Sequence, residues 1–97
     1  MQETTIKIEQ NEFHAVKLST EHCSILLLQG KKGNLGCAYF SIDPAEKTGD
    51  RFALVSGVKT FDDMLSATVQ AASSAAVAAG VEIGVSTGRE ALLLMEQ

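Results

Sequence analysis

The stretch Ser56-Gly57-Val58-Lys59-Thr60-Phe61-Asp62-Asp63-Met64-Leu65 gathers a glycine, a cation, a hydroxyl and two carboxylates within a few residues. An apolar run, Phe52-Ala53-Leu54-Val55, precedes it, so a strand delivers the chain to Gly57 and a helix starts soon after. That arrangement suits anion binding. Glycine lets the backbone come close to a ligand, a helix start presents free N–H groups and a positive dipole end, and Lys59 adds a mobile cation. Gly57, Lys59, Thr60, Asp62 and Asp63 are therefore the candidate ligand-binding residues. Adjacent carboxylates on a helix point about 100° apart, so at most one of Asp62 and Asp63 faces a given pocket, and which one stays open. Cys37, in Gly36-Cys37-Ala38-Tyr39-Phe40, is the candidate catalytic nucleophile. A thiolate beside Lys59 and a helix start would be stabilised there.

The same residues also have plain structural uses. Thr60 and Asp63 fit an N-cap and the third helical position of a capping box, and cysteine is among the most commonly buried residues. His14, His22, Cys23 and Cys37 follow no compact ligand spacing, so no metal site and no cofactor is expected. Gly30-Lys31-Lys32-Gly33 spells the glycine–basic–basic–glycine loop of KH domains, but it lies between two strands instead of two helices, and reads as a lysine-tipped hairpin. Phosphate-loop, dinucleotide, nucleophile-elbow and zincin motifs are absent.

The elements that must position these residues divide the chain in two. The first half reads as strands: Ile6 and Ile8 alternate with Lys7 and Glu9, Phe13 to Leu18 follows, and Ile25-Leu26-Leu27-Leu28 is a continuous apolar run covered on both faces. Leu35 to Phe40 is the return strand of the Lys31–Lys32 hairpin. Asn11-Glu12 and Thr20-Glu21-His22 are the tight connections before it. The second half reads as helices. Asp43 caps a short helix with Pro44 at its first position and Gly49 as its stop. Thr60 starts a long alanine-rich helix over about Phe61 to Ala79, and Thr87 caps a C-terminal helix through Met95. Val81 to Val85 is a short strand or a loop. On a 100° projection, Asp62, Asp63, Ser66, Gln70, Ser73, Ser74 and Val77 share one arc of the long helix. No charge occurs between Asp63 and Glu82. Either the helix is buried against the sheet, or a second subunit covers its Ser/Gln/Val77 side.

Ninety-seven residues make one domain, residues 1–97. The net charge of −4 argues against nucleic-acid binding, which needs excess Lys and Arg to neutralise phosphates. No segment is apolar enough for a membrane span, and Met1 to Thr5 shows no signal-peptide pattern, so the expected location is cytoplasmic, with Cys23 and Cys37 unbridged.

Three segments together resemble a family: Leu35-Gly36-Cys37-Ala38-Tyr39-Phe40, then Val55 to Leu65, then Ser86-Thr87-Gly88-Arg89-Glu90-Ala91-Leu92. In order and spacing they are similar to the YunC-like proteins of bacteria and archaea, a domain of unknown function (DUF 1805). The chain departs from the Cys-Gly order that the resemblance implies near Cys37. The resemblance implies a compact α/β domain whose N-terminal β region mediates tetramerisation, which places the assembly surface on residues 1–20, chiefly the strands between Thr4 and Leu18. It brings no activity with it. The expected protein is α+β (α/β): an antiparallel sheet of about five strands carrying one long helix and one C-terminal helix. Its expected function is binding of a small anionic metabolite near residues 56–65 by a cytosolic homo-oligomer. The other function classes are a cysteine-dependent enzyme using Cys37 and a purely structural or regulatory assembly module.

Overall fold

Alternating and apolar runs in the first half build one meander. In the computed structural model, which describes residues 1–97, β1 (Gln2–Ile8), β2 (Asn11–Ser19), β3 (Ser24–Gln29) and β4 (Gly33–Cys37) are antiparallel neighbours. The chain then crosses over through helix α1 (Asp43–Thr48) and adds β5 (Arg51–Val55) parallel to β4, with Cys37 opposite Val55. A short β6 (Ala71–Ala72) completes a six-stranded sheet in the order β1-β2-β3-β4-β5-β6. Helix α2 (Phe61–Ser66) lies between β5 and β6, and α3 (Ser74–Ala78) and α4 (Gly88–Met95) follow β6. The first reverse turn lies at Glu9-Gln10, two residues earlier than Asn11-Glu12, and Glu9 takes a positive φ of 57° there. Residues 81–86 form turns and no strand.

The core lies between one sheet face and the helices. Phe13, Leu26, Leu28, Leu35, Ala53 and Val55 point inward from the strands to meet Met64, Ala91, Leu92 and Met95. The period of two sends Val16, Leu18, Ile25 and Leu27 to the opposite face. There Val16 pairs with Leu27 and Leu18 with Ile25, and all four keep solvent exposure, Leu18 at 47%. The Ile25–Leu28 run is therefore covered on one face only.

Helix α4 sits very close to its neighbours. A Cβ on Gly88 would lie 2.0 Å from the Met64 carbonyl oxygen, and one on Gly33 would lie 2.5 Å from the Met95 Cβ. Only glycine permits these approaches. The Arg51 guanidinium holds the far end of α4 by donating to the carbonyls of Met95 (2.6 Å) and Gln97 (3.0 Å).

The long helix over 61–79 does not form. α2 ends at Ser66, and the chain runs extended through Ala67 to Ala72 along the outer edge of β5, with Ala53 opposite Ala72 and Leu54 opposite Ala71. A helix here would leave that edge of β5 unpaired. Instead Gln70 and Ser73 donate to the Leu54 and Phe52 carbonyls, and Val69 exchanges bonds with the 84–86 turn. The β-branched pair Thr68-Val69 suits the extended form. Ser73 is fully buried and starts α3: its hydroxyl donates to the Asp50 carbonyl at 2.7 Å and accepts from the N–H groups of Phe52 and Ala76. The arc projected for a continuous helix therefore does not exist, and its charge-free face needs no covering subunit. α1 also differs. Its N-cap is Ile42 and Asp43 lies inside the helix without a capping bond. The Glu46 carboxylate turns instead to α3, accepting from the Ser74 N–H and, at 2.8 Å, from its hydroxyl.

The broken helix is testable. In one continuous helix, Ser73→Ala would be neutral or mildly stabilising, since alanine is the better helix former. With Ser73 bridging Asp50, Phe52 and Ala76, the same change costs about 2 kcal/mol, read from urea denaturation.

Candidate functional site

The chain folds so that β4 and β5 end side by side, and the β2–β3 connection of the meander comes to the same end of the sheet. Ligands of open α/β sheets settle beyond the carboxyl ends of parallel strands. Here that position holds a cavity of about 840 Å³. One wall is the β2–β3 connection with Lys17, and the other is the bend Gly57-Val58-Lys59 after β5. Cys37 and Tyr39 contribute from β4 and the turn after it.

Each wall is fixed locally. The β2–β3 turn closes on itself: Thr20 N–H donates to the Cys23 carbonyl at 2.8 Å and Cys23 N–H donates to the Thr20 hydroxyl at 3.0 Å. The opposite bend needs Gly57 in a left-handed conformation, φ 70°, which a side chain would strain. Cys37 is 6% exposed, and its sulfur accepts the Leu26 N–H at 3.4 Å. Tyr39 stands 61% exposed.

Of the residues singled out in the sequence, Cys37, Gly57 and Lys59 line this cavity together. Thr60, Asp62 and Asp63 do not line it. Thr60 and Asp63 form the capping box of α2: the Thr60 hydroxyl accepts from Asp63 N–H at 3.0 Å, and the Asp63 carboxylate accepts from the N–H groups of Lys59 (3.0 Å) and Thr60 (3.2 Å). Those N–H groups are thus taken by a carboxylate of the chain itself. The bond from the Lys59 N–H, with smaller help from Thr60 and the Lys59 ammonium, holds the Asp63 carboxyl below its ordinary range. Asp62 is exposed, with its backbone carbonyl accepting from the Ser66 hydroxyl.

Sequence reasoning missed Lys17 and the Ser19–Ser24 wall. A signal for Lys17 was present. Phe13, Ala15 and Lys17 occupy successive inward positions of β2, and Lys17 stands directly opposite Leu26. A lysine that continues a buried row must reach water or a ligand at the end of that row. The turn residues carry no such mark, because only the sheet order brings them beside β5. No group of three or more His, Cys, Asp or Glu side chains comes together to hold a metal ion, although Cys23 and Cys37 line the same cavity.

A family profile, a domain of unknown function (DUF1805), matches residues 36–95, more than half of the chain. The chain belongs to the DUF1805 family. The matched region runs from Gly36 in β4 to the last residue of α4, and so contains Cys37, the Gly57–Lys59 bend and both intact capping boxes. The structure also resembles the crystal structure of a protein of unknown function, TA1206 from Thermoplasma acidophilum, with a TM-score of 0.91 and 33% sequence identity over 97% of this chain and 91% of that one. No curated protein matches the chain. Membership of DUF1805 carries a fold and no assigned activity. No helix is long and apolar enough to cross a membrane.

The Asp63 clamp gives a signed pH dependence. A carboxyl lowered in the folded state contributes stability that is fully present above its ordinary value of 3.8 and is lost as pH falls through the lowered value. Asp63→Asn should therefore lower the melting temperature near pH 7, and the gap to the parent protein should narrow as the pH falls below 3.8. A gap that widens in acid would contradict the clamp.

Proposed function

We propose that the chain is a cytoplasmic homo-oligomer that binds a small anionic metabolite in the cavity between the β2–β3 turn and the Gly57–Lys59 bend. The observation that supports this reading is the pair of lysines on one cavity, Lys17 and Lys59, in a protein whose ion pairs involve no lysine at all. Each ammonium is free to take a carboxylate or phosphate. Hydroxyls of Ser19, Thr20 and Ser24 and the open backbone at Gly57 supply orienting contacts. Relative to the sequence reading, the site moves from the α2 capping residues to the residues just before them.

Holding a ligand fits better than covalent catalysis. A nucleophilic Cys37 needs a base or a cation against its sulfur, and the one hydrogen-bond partner of that sulfur is the Leu26 N–H. Cys37 reads as part of the cavity floor.

Phosphate and citrate, titrated against thermal unfolding, test the site. At a hundredfold excess over Kd the folded state gains about 2.7 kcal/mol. The double variant Lys17→Ala/Lys59→Ala should abolish most of that gain, and Asp62→Asn should keep it. Equal stabilisation of the parent and the double lysine variant would move the ligand elsewhere.

Assembly rests on the uncovered sheet face. Val16, Leu18, Ile25 and Leu27 form a half-exposed apolar surface on strands within and beside residues 1–20, and a second copy of the chain presents the same apolar face. Size-exclusion chromatography with light scattering should give the mass of a tetramer, and Leu18→Asp should give a smaller species. A parent protein that stays monomeric at micromolar concentration would exclude this assembly.

A further inference from the structure

The two lysines reach the cavity from opposite sides of the sheet's end. Lys17 on β2 faces Leu26 on β3, the Leu26 N–H contacts the Cys37 sulfur on β4, and Cys37 faces Val55 on β5. These four residues form one row across four strands. Neighbouring strands lie about 4.8 Å apart, so Lys17 is roughly 14 Å from β5 along the row. Lys59 follows β5 around the Gly57 bend. Leu26 is buried within the row, and between the two lysines the cavity is lined by Cys37, Ala38, Tyr39 and Val58. The carboxylate of Glu21 is also on its lining, exposed at the β2–β3 turn and 3.8 Å from the His22 imidazole. A cation therefore stands at each end of the cavity, with Cys37, Ala38, Val58 and Tyr39 between them and the Glu21 carboxylate on the β2–β3 wall.

A single carboxylate or phosphate group engages one of these ammonium groups at a time. A molecule with an anionic group at each end of an apolar body engages both. The second contact is then intramolecular and carries the advantage of a high effective concentration when the span matches. We infer that the cavity selects an elongated dianion, of the class of medium-chain dicarboxylates or carboxylic acids carrying a distal phosphate, lying across the ends of β2 to β5 with Lys17 and Lys59 at its two ends. The inference rests on the anion-binding reading above and adds length selectivity to it. The inward row makes the two lysine positions unequal in origin but equal in role: one is fixed by strand register, the other by a glycine bend.

The test is isothermal titration of the full chain with malonate, succinate, adipate, suberate and hexanoate, with inorganic phosphate as the short reference. Affinity should rise along the series to an optimum, because only a dianion whose length matches the gap between the two ammonium groups engages both. The optimum should exceed hexanoate by about tenfold or more. Lys17→Gln and Lys59→Gln should each flatten the series to the level of hexanoate, and Lys17→Arg should restore it; unchanged melting temperatures without ligand confirm that these variants fold. Phosphate and all carboxylates binding alike, with no dependence on length, would overturn this inference and leave the anion site standing. A length optimum that survives Lys17→Gln would overturn the assignment of Lys17 as one of the two ends. No binding by any member, phosphate included, would overturn both readings.

Discussion

The close seat of α4 on the sheet is the constraint from which the rest follows. Gly88 lets the helix start against the Met64 carbonyl, where its own N–H donates to the Ala67 carbonyl at 2.8 Å. Gly33 lets the helix end against the first residue of β4. Two longer-range clamps hold it there. Arg51 from the start of β5 caps its last carbonyls, which suits the negative end of a helix dipole. Glu96 reaches the hairpin between β3 and β4 and accepts the N–H groups of Lys31, Lys32 and Gly33 at 3.0–3.2 Å. The Gly30–Gly33 loop, which in sequence resembles a nucleic-acid clamp, thus spends its donors on the protein's own carboxylate.

With α4 fixed, β4 and β5 are registered from their starting ends, and their carboxyl ends are left free of helix. Leu92, Ala91 and Met95 fill the space under Leu35 and Ala53, all without solvent exposure. Cys37 and Val55 then stand at the rim of that core. The cavity is therefore a consequence of where the core stops. Its floor is the last buried row of the sheet, and its walls are the connections leading into and out of that row. Lys17 is the point where the inward alternation of β2 outlasts the hydrophobic core.

Local grammar was legible in the sequence, and long-range pairing was not. The Thr60 and Thr87 capping boxes, the Gly49 helix stop and the Lys31–Lys32 hairpin all appear where the residues predict them, because each is decided within about four positions. The run from Ala67 to Ser73 is decided by the unpaired edge of β5, and Ser73 by its contacts with Asp50 and Phe52. Nothing within the run announces those partners, and its alanines favour a helix as well as a strand this short. Asp43 shows the same limit: an N-cap pattern in sequence yielded to a crossover tied to α3 by the Glu46 carboxylate on Ser74. For the site, Gly57, Lys59 and Cys37 were visible as reactive types near a strand end, whereas Lys17 needed its register and the β2–β3 turn needed the sheet order.

Capping and ligand binding compete for the same backbone donors, and that competition divides the stretch from Ser56 to Leu65. Once Asp63 accepts the N–H groups of Lys59 and Thr60, those two donors are closed to an outside anion, and a helix of this length offers little dipole beyond its cap. What remains available is the Lys59 side chain and the Gly57 backbone, on the cavity side of the bend. The cap has a positive use in this arrangement. By holding the Lys59 peptide at 3.0 Å, Asp63 fixes the stem from which the ammonium reaches into the cavity, while Gly57 sets the bend before it. A cation anchored at its backbone and free at its tip loses less conformational freedom on meeting a ligand than one on an untethered loop. The carboxylate that first looked like part of the chemistry serves it best by staying out of the cavity.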